Sequence, residues 1–223
     1  MTAHNPSSAL PRARRAHPAR QVADDPARPY TQHAPTRAQK ILGISGSLRR
    51  DSYNRRLLAA TVSALPPSSE LTVFERLKEI PPFDEDDEQT PATVVHELRE
   101  QIERADAVLI ATPEYNGSVP GQLKNALDWA SRPYETNVLR GKPVVVIGAS
   151  PGPGGTAHAN AEARRILARI GAQVSEQTLL VTRAFAQLQP DGTPANRRFA
   201  LQLADLASAL TNAANTRRHA HAA

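Results

Sequence analysis

The sequence predicts a doubly wound α/β domain, with a five-stranded parallel sheet and helices on both faces. Two observations carry this. Short apolar runs alternate with longer segments whose apolar residues recur at helical spacing. Several of the runs are apolar almost throughout, as strands covered on both faces must be. Lys40 to Ser45 is the first run, ending at Gly46, and Tyr53 to Leu65 follows as a helix stopped by Pro66-Pro67. Leu71 to Phe74 reads as the second strand, and Pro91 to Arg104 as a helix with Val94, Val95, Leu98 and Ile102 on one face. Ala107 to Ala111 is a buried third strand, followed by a helix over Val119 to Ala130. Pro143 to Gly148 and Thr156 to Ile170 repeat the pattern, and Gln173 to Val181 with Pro194 to Leu210 close it.

The chain has 223 residues, of which 40% are hydrophobic, enough for a core and best read as one domain with appendages. Residues 1–38 hold six prolines among Ala, Arg and His, and almost no large aliphatic side chains. Such a segment cannot offset its ordering entropy and is expected to be a disordered, dispensable extension. Its Arg-rich start is like a transit peptide, but the prolines spoil a continuous amphipathic helix. Residues 39–211 are expected to form the domain, and 212–223 a second, loose tail.

The net charge of +5 belongs to these ends. Six arginines oppose Asp24 and Asp25 in residues 1–39, and Arg217 and Arg218 are unopposed, leaving −1 for residues 40–210. The body is therefore not expected to bind nucleic acid. No cysteine is present, which excludes thiolate nucleophiles, disulfides and cysteine-held metals. No apolar run approaches the roughly 20 residues of a membrane span, and the start lacks the apolar stretch of a secretory signal. A cytoplasmic protein without membrane contact is expected.

Ligands bind such sheets beyond the carboxyl ends of the strands, where strand order reverses. Three loops there carry chemistry. After the first strand comes Gly46-Ser-Leu-Arg-Arg-Asp-Ser-Tyr-Asn54. The hydroxyls of Ser47 and Ser52, the Arg49 guanidinium, the Asn54 amide and free N–H groups at a helix start suit a phosphate. The loop has neither the Gly-Lys-Ser/Thr ending of a P-loop nor a Gly-x-Gly-x-x-Gly fingerprint. Ser52 taken alone could simply cap the helix.

The third strand leads into Thr112-Pro-Glu-Tyr-Asn-Gly-Ser-Val-Pro-Gly121, a turn-rich loop whose open amides, Tyr115 and Asn116 suit a flat heteroaromatic ring. The fourth leads into Gly148-Ala-Ser-Pro-Gly-Pro-Gly-Gly-Thr156, permissive backbone ahead of a helix. Three such loops on one sheet edge make one pocket.

In order and in detail these segments resemble the NADPH-dependent FMN reductase family, which includes soluble quinone and chromate reductases. The likeness runs from about Lys40 to Leu210 and is most specific in Gly46-Ser-Leu-Arg49, Ser52-x-Asn54 and Pro113-Glu-Tyr-Asn-Gly-Ser-Val-Pro-Gly-x-Leu-Lys-Asn-Ala-Leu-Asp-Trp129. The resemblance implies a flavodoxin-like sheet, order 2-1-3-4-5, with FMN at the switch point. It implies that Ser47, Leu48, Arg49, Ser52, Tyr53 and Asn54 hold the FMN phosphate end. Pro113, Glu114, Tyr115, Asn116 and Gly117 would line the ribityl chain and ring, and Ser150 would close the site.

It further implies hydride transfer from NADPH (or NADH) to flavin N5 and two-electron delivery to a small acceptor, with no side chain acting as catalyst. A quinone is the expected acceptor; chromate, azo or nitro compounds and free flavin are the others. Self-association as a dimer or tetramer also follows from the family. A flavodoxin-type electron carrier without nicotinamide activity is the alternative.

Other residues have plainer readings. Trp129 is expected in the core or a subunit contact, with Leu123 and Leu127. Asp84 to Glu88 is a solvated loop near the site rim. His96 and His158 are surface residues, and the histidines of the two tails are too scattered for a metal.

Overall fold

The computed structural model describes residues 37–222, so the expected disorder of the N-terminal extension lies outside the described residues. The elements run β1 (Gln39–Ser45), α1 (Tyr53–Ala64), β2 (Ser69–Val73), α2 (Thr93–Arg104), β3 (Ala107–Ala111), α3 (Gly121–Ala130), β4 (Pro143–Ala149), α4 (Ala157–Ile170), β5 (Gln173–Val174), β6 (Leu180–Val181) and α5 (Arg197–Ala222). Short 3₁₀ turns at Leu77–Glu79 and Ala184–Ala186 follow β2 and β6.

All pairings are parallel, in the order β2-β1-β3-β4-β5, with β6 also on β4. The reversal that follows β1 places the switch point between β1 and β3. Side chains alternate across the sheet. Ile41, Leu109, Val145 and Ile147 face α1 and α5, packing on Leu57, Leu58, Phe199, Leu203 and Leu206. Leu42, Ile44, Val108, Ile110 and Val146 face α2, α3 and α4, packing on Val95, Leu98, Leu123, Trp129 and Leu167. Every residue of β3 and β4 is buried, which is why these strands read as unbroken apolar runs.

Two expectations change. The run Gln173 to Val181 is not one strand: β5 pairs at Val144↔Val174 and β6 at Gly148↔Leu180, with residues 176–178 leaving the backbone ladder between them. There the Val146 carbonyl accepts from the Thr178 hydroxyl (2.5 Å) and the Asn160 amide (3.0 Å). The expected loose C-terminal tail is instead a continuation of α5, which runs to Ala222. Ala214 is fully buried, and the Gln39 amide at the start of β1 donates to the Thr211 carbonyl (3.2 Å) and Asn215 Oδ1 (2.5 Å). The Asn196 carboxamide oxygen accepts from Phe199 N (2.9 Å) where the helix begins. Among the described residues no helix is long and apolar enough to cross a membrane.

Candidate functional site

The loop after β1 is ordered by its own hydroxyls. Ser45 Oγ donates to the Ser47 carbonyl (3.2 Å), and Arg49 N donates to Ser47 Oγ (3.4 Å). Ser52 caps α1, accepting from Asn54 N (3.1 Å), so the plain reading of Ser52 holds whatever else it does. The first turn of α1 opens toward the loop with N–H groups that no helical carbonyl reaches. Arg49 is exposed, with its guanidinium free to meet an anion.

Asn54 has a different task from the one its position suggests. It is buried, its Oδ1 accepts from Ala149 N (2.9 Å) and its Nδ2 donates to the Ala149 carbonyl (3.0 Å). Both polar atoms of the amide are thus spent on joining α1 to the end of β4.

The loop after β3 is a tight turn. Tyr115 and Ser118 exchange backbone hydrogen bonds (3.0 and 3.1 Å), and Asn116 and Gly117 between them have φ of 53° and 74°. Two consecutive left-handed residues make a type I′ turn, for which Asn-Gly is the preferred pair. Asn116 and Gly117 therefore supply the positive φ that the turn needs, and neither lines the cleft described below.

Two carboxylates brace this loop against α4. Glu114 accepts from His158 N (2.9 Å) and Ala159 N (3.1 Å), capping α4 from another loop, and its Oε1 is 3.3 Å from His158 Nδ1. Glu162, on α4, accepts from the Ser118 hydroxyl (2.6 Å) and Val119 N (3.1 Å). The Ala159 N–H is the main cause holding the Glu114 carboxyl below the usual carboxylate range, and the Ser118 hydroxyl does the same for Glu162.

A carboxyl lowered by folding stabilises the native state above its unfolded pKa, and that stabilisation is lost as pH falls through the lowered folded value. Both braces should therefore weaken as pH drops from about 4.5 downward. Glu162→Gln should start with a lower melting temperature at pH 7 and lose less than the wild type across the acid window. Parallel melting curves for the two proteins would remove the brace.

The Gly121–Trp129 motif has a physical reason in α3. Gln122 Nε2 donates to the carbonyls of Leu77 (2.8 Å) and Ile80 (2.9 Å), Asn125 Nδ2 to that of Pro81 (2.8 Å), and Trp129 Nε1 to the same Pro81 oxygen (2.9 Å). One face of the helix thus straps down the segment that leaves β2. Leu123, Leu127 and Trp129 are all buried, so this stripe is spent in the core. The acidic run beyond it is approached by Arg132, 3.7 Å from Glu85 and 3.9 Å from Glu88.

The loop after β4 packs closely. A Cβ at Gly148 would lie 1.9 Å from Thr156 Oγ1 and 2.7 Å from the Thr112 carbonyl oxygen, so only glycine fits between the neighbouring loops. The Thr156 hydroxyl is itself buried without a hydrogen-bond partner. Ser150 N donates to the Val181 carbonyl (2.9 Å), and Ser150 Oγ accepts from Gly152 N (3.1 Å).

These loops enclose a cleft of about 280 Å³ at the carboxyl edge of the sheet. All the expected site residues line it except Leu48, Asn116 and Gly117, and Ala149 and Pro151 join them. Leu48 is exposed and lies outside the lining. His158 is a surface residue as expected, at 80% side-chain exposure. Glu162 was not foreseen, since its partners come from another loop and no spacing announces them. Among the described residues no cluster suited to a metal occurs.

Fold and cleft together are those of a flavodoxin-like domain, with the cleft at the switch point of the sheet. Residues 39–186 match the model of the family described as NADPH-dependent FMN reductase. The chain belongs to that family, and is thereby an oxidoreductase working with FMN and NAD(P)H. It is 45% identical over 131 residues to a 2-hydroxy-1,4-benzoquinone reductase from a Burkholderia species, covering 59% of this chain and 71% of that one. An NAD(P)H-dependent FMN reductase from Pseudomonas aeruginosa is 47% identical over 131 residues, covering 57% and 69%. Among solved structures, the flavoenzyme NAD(P)H:(acceptor) oxidoreductase FerB from Paracoccus denitrificans superposes with a TM-score of 0.75 at 32% identity, covering 81% of this chain and 99% of that one.

Proposed function

We propose that the chain holds FMN in the cleft between the loops after β1, β3 and β4, and reduces a quinone with electrons from NAD(P)H. The observation that carries the reading is the donor set at one end of the cleft. Two serine hydroxyls, an unpaired guanidinium and the start of α1 converge there, a set suited to a phosphate dianion.

The dimensions suit an open site. Pockets that bury most of a drug-sized ligand run from about 300 to 1,000 Å³. A cleft of about 280 Å³ would leave part of a flavin exposed to reactants from outside. Bound there, FMN would supply the redox chemistry, accepting hydride from the nicotinamide and passing two electrons to the acceptor.

The protein's part is binding and orientation. Ser47, Arg49 and Ser52 hold the phosphate, with the N–H groups near Tyr53. Asn54 acts by positioning, through the Ala149 backbone. Pro113, Glu114 and Tyr115 line one wall and Ser150 the other, while Leu48, Asn116 and Gly117 shape the loops from outside. Tyr115, 47% exposed, stands at the mouth where a flat acceptor would enter. The quinone assignment draws support from the benzoquinone reductase likeness.

Self-association as a dimer or tetramer belongs to the same reading. With the α3 stripe buried, that contact falls to exposed side chains such as Tyr134, and sedimentation as a monomer at working concentration would remove it. Dependence on reduced nicotinamide, which the family shares, supports a cytoplasmic location in the same reading.

The deciding experiment is an anaerobic titration of the FMN-loaded protein with NADPH. Complete bleaching of the flavin at one equivalent, reversed by a benzoquinone, is expected. Flavin that stays oxidised would move the protein to the electron-carrier class, and a purified protein unable to retain FMN would overturn the cleft assignment.

A further inference from the structure

A second cleft, of about 480 Å³, runs along β6 and the first turns of α5, outside the site described above. Its floor is apolar, made by Leu179, Val181 and Phe199, and its rim is polar, with Gln187, Arg198 and Gln202. No carboxylate lines it. Arg198 is exposed and forms no ion pair among the described residues. Asn196 Nδ2 donates to Gln187 Oε1 (3.1 Å), which leaves the Gln187 amino group and the Gln202 amide for a ligand. An apolar floor, amides at the edge and one free guanidinium form a set that fits a flat nitrogenous base carrying a phosphate.

The position of this cleft ties it to the first. β6 pairs with the end of β4, Gly148↔Leu180 and Ala149↔Val181. The link continues past the strands: Ala184 N donates to the Ser150 carbonyl (2.9 Å) and Arg183 N to that of Gly152 (3.1 Å). Ala149 and Ser150 line the first cleft, and Val181 and Thr182 the second. Neighbouring strands lie about 4.8 Å apart, so lining residues of the two clefts are ladder neighbours, an arrangement that suits an extended dinucleotide.

We propose that the β6–α5 cleft seats the adenosine end of the nicotinamide donor, with the base over Leu179 and Phe199 and a donor phosphate on Arg198. The proposal rests on the flavin lying in the first cleft. The phosphate is either the 2′-phosphate, which NADPH alone carries, or the pyrophosphate common to NADPH and NADH, and these give different results.

The test is calorimetric binding of 2′,5′-ADP and 5′-ADP to the FMN-loaded protein, with NADPH and NADH kinetics alongside. Binding of 2′,5′-ADP in competition with NADPH, without release of FMN, is expected. Arg198→Ala should weaken it about 10- to 100-fold, the size of one lost charged hydrogen bond. If the 2′-phosphate is the group held, the NADPH:NADH efficiency ratio falls by the same factor and 5′-ADP is hardly affected. If it is the pyrophosphate, both donors and both fragments weaken together. Gln202→Ala should weaken all adenosine ligands alike.

Equal affinity of wild type and Arg198→Ala for both fragments would overturn the proposal, as would displacement of FMN by 2′,5′-ADP. The underlying flavin reading fails separately, through loss of the bound flavin's colour, while fragment binding still judges Arg198.

Discussion

Trp129→Ala should destabilise the protein by about 3 to 5 kcal/mol, the range for truncating a buried aromatic. The indole is fully buried between α2, α3 and the segment after β2. It meets Phe83 edge to face, with ring centres 4.9 Å apart, and Arg99 lies 5.8 Å from its centre. Arg99 Nε also donates to the Trp129 carbonyl (3.0 Å). Truncation empties this space and leaves the Pro81 carbonyl with only the Asn125 amide. Since a domain's whole stability is about 5 to 15 kcal/mol, the variant should show a visibly earlier urea midpoint. Trp129→Phe keeps most of the apolar area and should cost far less. A Trp129→Ala midpoint matching the wild type would mean that the indole is not the strap's anchor.

Arg49→Ala should weaken FMN binding about 10- to 100-fold while leaving the melting temperature of the flavin-free protein nearly unchanged. The first effect follows from losing a charged hydrogen bond to phosphate. The second follows from exposure, because the Arg49 side chain is exposed and forms no ion pair among the described residues. Equilibrium quenching of flavin fluorescence reads the affinity directly. Unchanged affinity would take the phosphate away from this loop. Asn54→Ala should behave oppositely, lowering stability as well, because its amide joins two elements of the fold.

The sheet was legible because β3 and β4 are buried on both faces and leave no polar position to blur the pattern. The fifth strand was not, since its interruption depends on Thr178 and Asn160 reaching the Val146 carbonyl, and Asn160 comes from α4. The final helix was underread for a similar reason. Asn212 to Arg217 is polar and Ala-rich, and what keeps it helical beside β1 is Gln39, far away in sequence. In the cleft, residue types announced an anion loop and a turn-rich ring site. Spacing could not tell a side chain that faces a ligand from one committed to backbone, as with Asn54 and Glu114. Glu162 was invisible because the Ser118 hydroxyl and Val119 N that donate to it lie more than 40 residues away.

The Asn54–Ala149 pairing also couples the two loops to each other. One side chain presents a donor and an acceptor to a single backbone residue, as an adjacent strand would, so the loops after β1 and β4 are held as one unit. Drift in either loop risks both. The Tyr115–Ser118 turn is held instead by replaceable carboxylate contacts, and its tip projects into solvent. Exchange at that tip should therefore change the mouth of the cleft while leaving the Asn54–Ala149 join intact.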